Sequence, residues 1–265
     1  MWKKLGIALA VLLVLIAGAA YFLFANLDSL IKAAIEKYGS AATQTEVSVD
    51  SVHLSLTSGA GSISGISIGN PAGFSSNQAL TLGQAAVQVD TSSIAGNGPI
   101  VIDNVTIAQP HVIYEMKGLG EGSNLQTIQH NVQAYAGGGG AQPALQQQGG
   151  SPGRKEIIKD LYVTGGQISV AAPALSGRSL TVALPEIHLT NIGQNSGGAT
   201  AAEIANQVLG AITSEATKAA SSALEQQLRA TAAGALQGAA TGALKNTGVP
   251  ITNGVGSQLK GLLGN

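Results

Sequence analysis

Beyond residue 46, apolar and polar residues alternate with a period of two along most of the chain. Val47 and Val49 alternate with Ser48 and Asp50, and turn residues such as Gly69-Asn70-Pro71 separate such segments. Strands of four to six residues with one aliphatic and one polar face are typical of an antiparallel meander with one solvated side. The apolar positions of the later segments are Val52, Leu54, Ile66, Ile68, Leu80, Leu82, Val87, Val89, Ile100, Ile102, Val105, Ile107, Val112, Tyr114, Leu161, Val163, Ile168, Val170, Leu180, Val182, Leu184, Ile187 and Leu189.

Two places disturb this alternation. The phase changes by one residue at Asp50-Ser51, which predicts a bulge or a turn, because strands paired on one buried face keep their register. Pro110 stands between Ile107 and Val112 and predicts a break between two short strands.

Three segments have helical spacing instead. Residues 28–39 place apolar side chains on one helical face, with Asp28 or Ser29 as the N-cap. Leu125, Ile128 and Val132 mark a short amphipathic helix. From Ala199 to about residue 245 the chain is Ala-rich. Seven large apolar residues are separated by multiples of four, so their stripe winds around the helix: Ile204, Val208, Ile212, Leu224, Leu228, Leu236 and Leu244. The winding predicts a helix that wraps a twisted surface or is broken into segments.

Residues 136–155 contain Gly, Gln, Ala and Pro and hold almost no apolar side chains that could build a core. This composition predicts a flexible insertion. Strand patterns continue on both of its sides, so we expect it to interrupt one sheet.

An apolar run from Leu5 to Phe24 opens the chain without a charged residue. About twenty helical residues span about 30 Å, the thickness of a bilayer's hydrocarbon core. Lys3 and Lys4 precede the run and Asp28 follows it, which favours a cytoplasmic N-terminus and an exported body. The alternative is a cleavable signal peptide ending at Ala17-Gly18-Ala19. We predict an anchor at 1–27, a sheet domain at 28–198 and a helical tail at 199–265, an α+β fold.

Composition narrows the classes of function. Charged residues make up only 10% of the chain, the net charge is −1 and there is no cysteine. These values give no reason to expect a nucleic-acid partner, and they exclude thiol chemistry. The four histidines lack metal-ligand spacing, and acids such as Asp103 with Glu115, or Asp50 with Asp90, are interpreted as solvated residues of strand faces. We therefore expect no catalytic site, no metal and no cofactor, and we expect His53 and His188 to face solvent.

Six segments of the chain form a recognisable series. They are the N-terminal apolar run, "VSVDSVHLSLTSGAGSISGISIGNPAGF" (47–74), "IDNVTIAQPHVIYE" (102–115), "GSNLQTIQHNV" (122–132), "LYVTGGQISV" (161–170) and "LPEIHLTNIGQNSGG" (184–198). Taken in this order, they resemble the AsmA-like family. Similar proteins lie in the inner membrane of Gram-negative bacteria, face the periplasm and serve outer-membrane biogenesis. The larger ones resemble lipid-transfer proteins built as a repeating β-groove.

The resemblance implies a curved antiparallel sheet whose aliphatic face holds lipid acyl chains, with membrane lipid and other envelope proteins as partners. The candidate lipid-binding residues are Val87, Val89, Ile100, Ile102, Val105, Ile107 and Val112 on the strands and Leu125, Ile128 and Val132 on a helical lid. The alternative is a non-enzymatic scaffold for envelope proteins, whose groove is filled by its own helices.

Overall fold

The alternating segments form one open, curved sheet in a computed structural model of the chain. The structure describes residues 26–55, 57–118, 122–137, 154–175 and 179–246. Within these residues the fold is α+β, with nine strands and four α-helices. The helices are α1 (Leu27–Thr43), α2 (Thr91–Ala95), α3 (Asn124–Ala136) and α4 (Ala201–Asn246). The strands are β1 (Val47–Ser48), β2 (Ser51–Leu54), β3 (Ala60–Gly69), β4 (Gln78–Val89), β5 (Ile100–Glu115), β6 (Glu156–Thr164), β7 (Gln167–Ala171), β8 (Ser179–Ala183) and β9 (Ile187–Ile192).

Several of the nine strands lie end to end. Both β1 and β2 pair with β3, while β6 and β7 pair one after the other with β5. In the same way β9 pairs with β6 and β8 pairs with β7. The sheet therefore follows the order β1/β2, β3, β4, β5, β6/β7, β9/β8.

The expected antiparallel meander is wrong at the centre of the sheet. Strand β5 runs parallel to both β6 and β7, so the sheet is mixed. A parallel neighbour requires a long crossover that returns the chain to the end of the sheet where the first strand began. Helix α3 lies between β5 and β6 in sequence and forms the described part of this crossover. Pairing of β5 with β6 also confirms that the insertion interrupts one sheet.

The central strands are longer than predicted, with 10, 12 and 16 residues in β3, β4 and β5. The prediction of a break at Pro110 is wrong, because β5 passes through this residue. Gln109, directly before it, has a positive φ of 51°, and the alternation of buried residues changes phase here. Proline is accepted within a sheet at irregularities of this kind.

The same phase change crosses the sheet from strand to strand. It occurs at Asp50, where one was predicted, at Gly65 (φ 64°), at Gly83, at Gln109 and at Gly165 (φ 65°). Since neighbouring strands change phase at the same level, their pairing continues while the sheet bends. Gly65 is required at its position, because a Cβ atom there would collide with the side chain of Asp50.

Helices α1 and α3 pack against the sheet and against each other. Helix α1 contacts β1 and β2, and α3 contacts β5 and α1. The Nδ2 group of Asn131 donates a 2.8 Å hydrogen bond to the carbonyl of Thr43, which joins the two helices. Helix α1 begins at Leu27, and the prediction of Asp28 as its cap is wrong because this carboxylate bonds to β2 instead.

Helix α4 confirms the predicted Ala-rich helix and is continuous through Asn246. The chain divides into two compact units, one ending at Ala220 and one beginning at Ser221. In the first unit Ile204, Ile212 and Ala216 are buried. In the second, Leu228 and Leu236 are 49% and 65% exposed. Of the two alternatives that the winding stripe predicted, a helix broken into segments is wrong, because α4 is one continuous helix.

The predicted anchor, apart from residues 26 and 27, and residues 138–153 of the insertion lie outside the described residues. Among the residues that are described, no helix is both long enough and apolar enough to cross a membrane.

Candidate functional site

Seven of the ten candidate lipid-binding residues lie on the aliphatic face of the sheet, and the other three lie on α3. The strand residues of this set are neighbours across the sheet, since Val87 lies opposite Val105 and Val89 lies opposite Ile102. Their burial divides them into two groups of five, which we call the closed half and the open half.

The closed half is buried in the protein core, and three of its five members lie on α3. Val112 has no exposed area, Ile107 is 9% exposed, and the helical residues are exposed by 2% or less. Its members are Ile107, Val112, Leu125, Ile128 and Val132. The predicted helical lid therefore contributes to the protein core, where its side chains are already packed.

Helix α3 is held in place by its first turn. The Ser123 hydroxyl accepts a hydrogen bond from Gln126 N, and the Gln126 side chain accepts one from Ser123 N, which forms a capping box. Asn124 is fully buried, and its Oδ1 accepts hydrogen bonds of 2.9 Å from the backbone of Glu115 and Leu125. This residue thus joins the start of α3 to the end of β5.

Glu115 is a buried carboxylate next to this helix start, and it is not the solvated strand residue that the sequence indicated. It accepts hydrogen bonds from the backbone and hydroxyl of Ser75, from Ser76 N and from the side chain of Asn70. Burial raises the pKa of Glu115, but the hydrogen bonds from Ser75 and Ser76 outweigh it, so the pKa is lowered overall. The carboxylate thereby holds the loop between β3 and β4 against β5.

The open half comprises Val87, Val89, Ile100, Ile102 and Val105, all of which are partly exposed. It is a continuous aliphatic area on β4 and β5. Its neighbours towards β6, Ile158 and Leu161, are buried, with exposures of 4% and 2%. Towards β3 the side chains of Leu54 and Val87 fill the space above Gly61, where an added Cβ would lie 2.6 Å from Leu54 Cδ2 and 2.8 Å from Val87 Cγ1.

The acidic residues considered in the sequence do not form carboxylate pairs in the structure. Asp103 accepts a 2.6 Å hydrogen bond from Lys159, and Asp90 caps α2 through Ser92. His53 and His188 are exposed as predicted, and they lie beside Asp28 and Asp160 respectively. Within the described ranges, no three His, Cys, Asp or Glu side chains are close enough together to hold a metal ion.

Sequence reasoning missed the polar cluster around Glu115 and Asn124 and the Lys159–Asp103 pair. The spacing of Ser123 and Gln126 is a capping-box signature that could have placed the start of α3. No comparable local signal exists for Glu115, because its partners are some forty residues away.

Comparison with known proteins gives no significant match to a family model, to a curated protein or to a solved structure.

Proposed function

We propose that this protein binds acyl chains of membrane lipids on the open half of its sheet. In this proposal it is a short relative of the AsmA-like proteins, anchored in the inner membrane by residues 1–27 with its body in the periplasm. It binds lipid or assists its transfer during outer-membrane biogenesis, without catalysis.

The observation that supports this proposal best is the difference between the two halves of one aliphatic face. The five residues of the closed half are buried, three of them on α3, whereas the five residues of the open half remain partly exposed on a curved sheet. All five side chains are Val or Ile and carry no hydrogen-bonding group, which suits a hydrocarbon chain. Burying one such side chain completely is worth about 1.5–3 kcal/mol.

A photoreactive phospholipid would locate the bound chain. Membranes that contain the full chain are supplied with a phospholipid bearing a diazirine in one acyl chain, irradiated and digested. We expect crosslinked peptides that contain residues 87–89 and 100–105. Crosslinks confined to the N-terminal apolar run would contradict binding by the sheet.

The Val105→Asn variant tests the contribution of the open half. We expect crosslinking to fall about tenfold, since about 1.4 kcal/mol corresponds to a factor of ten in affinity. Ile113→Asn is the matched control, because Ile113 is partly exposed on the same strand but pairs with Ser169 on the polar face. Circular dichroism establishes that both variants are folded. A folded Val105→Asn protein with undiminished crosslinking would contradict the proposal.

A second candidate function is that of a non-enzymatic scaffold for envelope proteins. It is favoured by the closed half, where Leu125, Ile128 and Val132 of the protein's own helix fill the sheet surface. A wild-type chain that carries no phospholipid in the same experiment would make this the better hypothesis.

A further inference from the structure

A second set of strand irregularities lies in neighbouring strands of the sheet. In β5, β6 and β9 the alternation of apolar and polar residues changes phase at neighbouring positions. Each strand therefore has two consecutive polar residues that do not lie on the aliphatic face. These pairs are Asp103-Asn104, Lys159-Asp160 and Thr190-Asn191. Asn191 has a positive φ of 55°, and the register of β4 against β5 shifts between Gln88 and Val89. Irregularities of this kind often redirect side chains near binding sites.

A cavity of about 540 Å³ opens directly beside these irregularities. The side chains of Val101 and Ile157 contribute an apolar floor. Around it stand polar side chains, namely Lys159 and Asp160 on β6, Thr190 and Asn191 on β9, and Gln194 in the 3₁₀ turn that follows. An apolar floor with a few convergent polar groups is the usual composition of a small-molecule site, and the volume lies in the usual range of about 300–1,000 Å³.

The charges around the cavity argue against an ionic ligand. Lys159 Nζ lies 2.6 Å from Asp103 Oδ1, and His188 Nε2 lies 2.8 Å from Asp160 Oδ1. The charge of Lys159 is thus already balanced by Asp103, and the carboxylate of Asp160 at the same cavity makes the surroundings unfavourable for phosphate. The two acids are engaged by these partners, so they do not offer a free pair of ligands to a cation.

Amide, hydroxyl and carboxylate groups remain above an aliphatic floor. Such a surface matches a pyranose ring, whose C–H face is apolar and whose hydroxyl groups both donate and accept hydrogen bonds. We propose that this cavity is a carbohydrate site that binds a neutral sugar. The site lies on the face opposite the open half, so the two proposals can be tested independently of each other.

Saturation-transfer NMR with the full chain tests this assignment. The protein is kept in lauryldimethylamine oxide, a detergent without a sugar headgroup, and is offered D-glucose, D-galactose, N-acetyl-D-glucosamine and maltose in turn. For an open, shallow site we expect a dissociation constant on the order of 1 mM. At least one sugar should receive saturation, strongest at its ring C–H protons, and inorganic phosphate should not displace it.

Two separate variants remove hydrogen-bonding groups from the cavity. Asn191→Gly preserves the positive φ, and Gln194→Ala changes an exposed turn residue. Each should weaken the saturation signal at least threefold. Thr181→Ala, an exposed residue on β8, is the control and should leave the signal unchanged. The assignment is overturned if no sugar is saturated, if both cavity variants retain the full signal, or if phosphate displaces the sugar.

Discussion

The carboxylate of Asp28 on α1 accepts a 3.1 Å hydrogen bond from the backbone N–H of Leu54 on β2. Three further residues of α1, each four positions after the last, make the same kind of contact with the edge of the sheet. The contacts are Lys32 to the carbonyl of Asp50, Glu36 to Val49 N and Ser40 to Val47 N, at 3.1, 3.0 and 2.9 Å. Residues four apart share one helical face, so a single face of α1 satisfies this edge.

This arrangement occupies backbone groups that an open sheet edge otherwise presents to other strands. Glu36→Ala should therefore destabilise the protein by about 1 kcal/mol, the usual net value of one hydrogen bond. Urea unfolding followed by circular dichroism measures the change. Lys37→Ala lies on the exposed side of the same helix and is the control. Equal stability of the two variants would show that the edge contact contributes nothing.

Glu115 should make the stability of the protein depend on pH in the acidic range. Its folded-state pKa is lowered from 4.5, so its ionised form stabilises the fold above that pH, and the contribution is lost as the pH falls through the lowered value. Glu115→Gln should cost about 1–3 kcal/mol at pH 7, because the amide group cannot accept all the hydrogen bonds from Ser75, Ser76 and Asn70.

The variant should also lose stability less steeply than the wild type below pH 4.5. Unfolding curves recorded from pH 7 to pH 3 measure both effects, with the exposed Glu46→Gln as the control. Parallel pH profiles for wild type and Glu115→Gln would exclude the carboxylate as the source of the acid dependence.

Periodicity could predict most of the strands and helices of this chain. The phase change at Asp50 and the helix of Leu125, Ile128 and Val132 were visible because each depends on neighbouring residues. Parallel pairing of β5 was not visible, because it depends on where a crossover returns to the sheet. The continuation of β5 through Pro110 depends on matching irregularities in adjacent strands, which no single strand reveals.

For the candidate site, the sequence could predict only which face of the sheet its residues occupy. Alternation places Val105 and Ile107 on the same side of the sheet, but it does not distinguish the partly exposed residue from the buried one. That difference depends on which distant segments pack over each residue, and the position of such a segment is set by contacts like those of Asn124 on α3 with Asn70 and Ile113. Such contacts between distant segments leave no periodic signal in the sequence.

The capping box of α3 allows a test of how this helix holds the closed half. Ser123→Ala removes the acceptor for Gln126 N and should cost about 1 kcal/mol, the usual value of an N-cap. Thermal unfolding measures the loss, and Ser123→Thr, which retains the hydroxyl, should recover most of it. A Ser123→Thr variant as unstable as Ser123→Ala would point to steric packing at this buried position instead of capping.

Glu156 should act on stability in the opposite direction to Glu115. It pairs with Ile100 on the aliphatic face, and burial raises its pKa from 4.5. The folded state therefore favours the protonated acid, and stability is lost as the pH rises from 4.5 through the raised pKa. Glu156→Gln should stabilise the protein at pH 7 and have little effect at pH 3. Urea unfolding at both pH values measures the difference, with the exposed Glu186→Gln as the control. A Glu156→Gln protein less stable than wild type at pH 7 would show that the carboxylate is stabilised there, against this prediction.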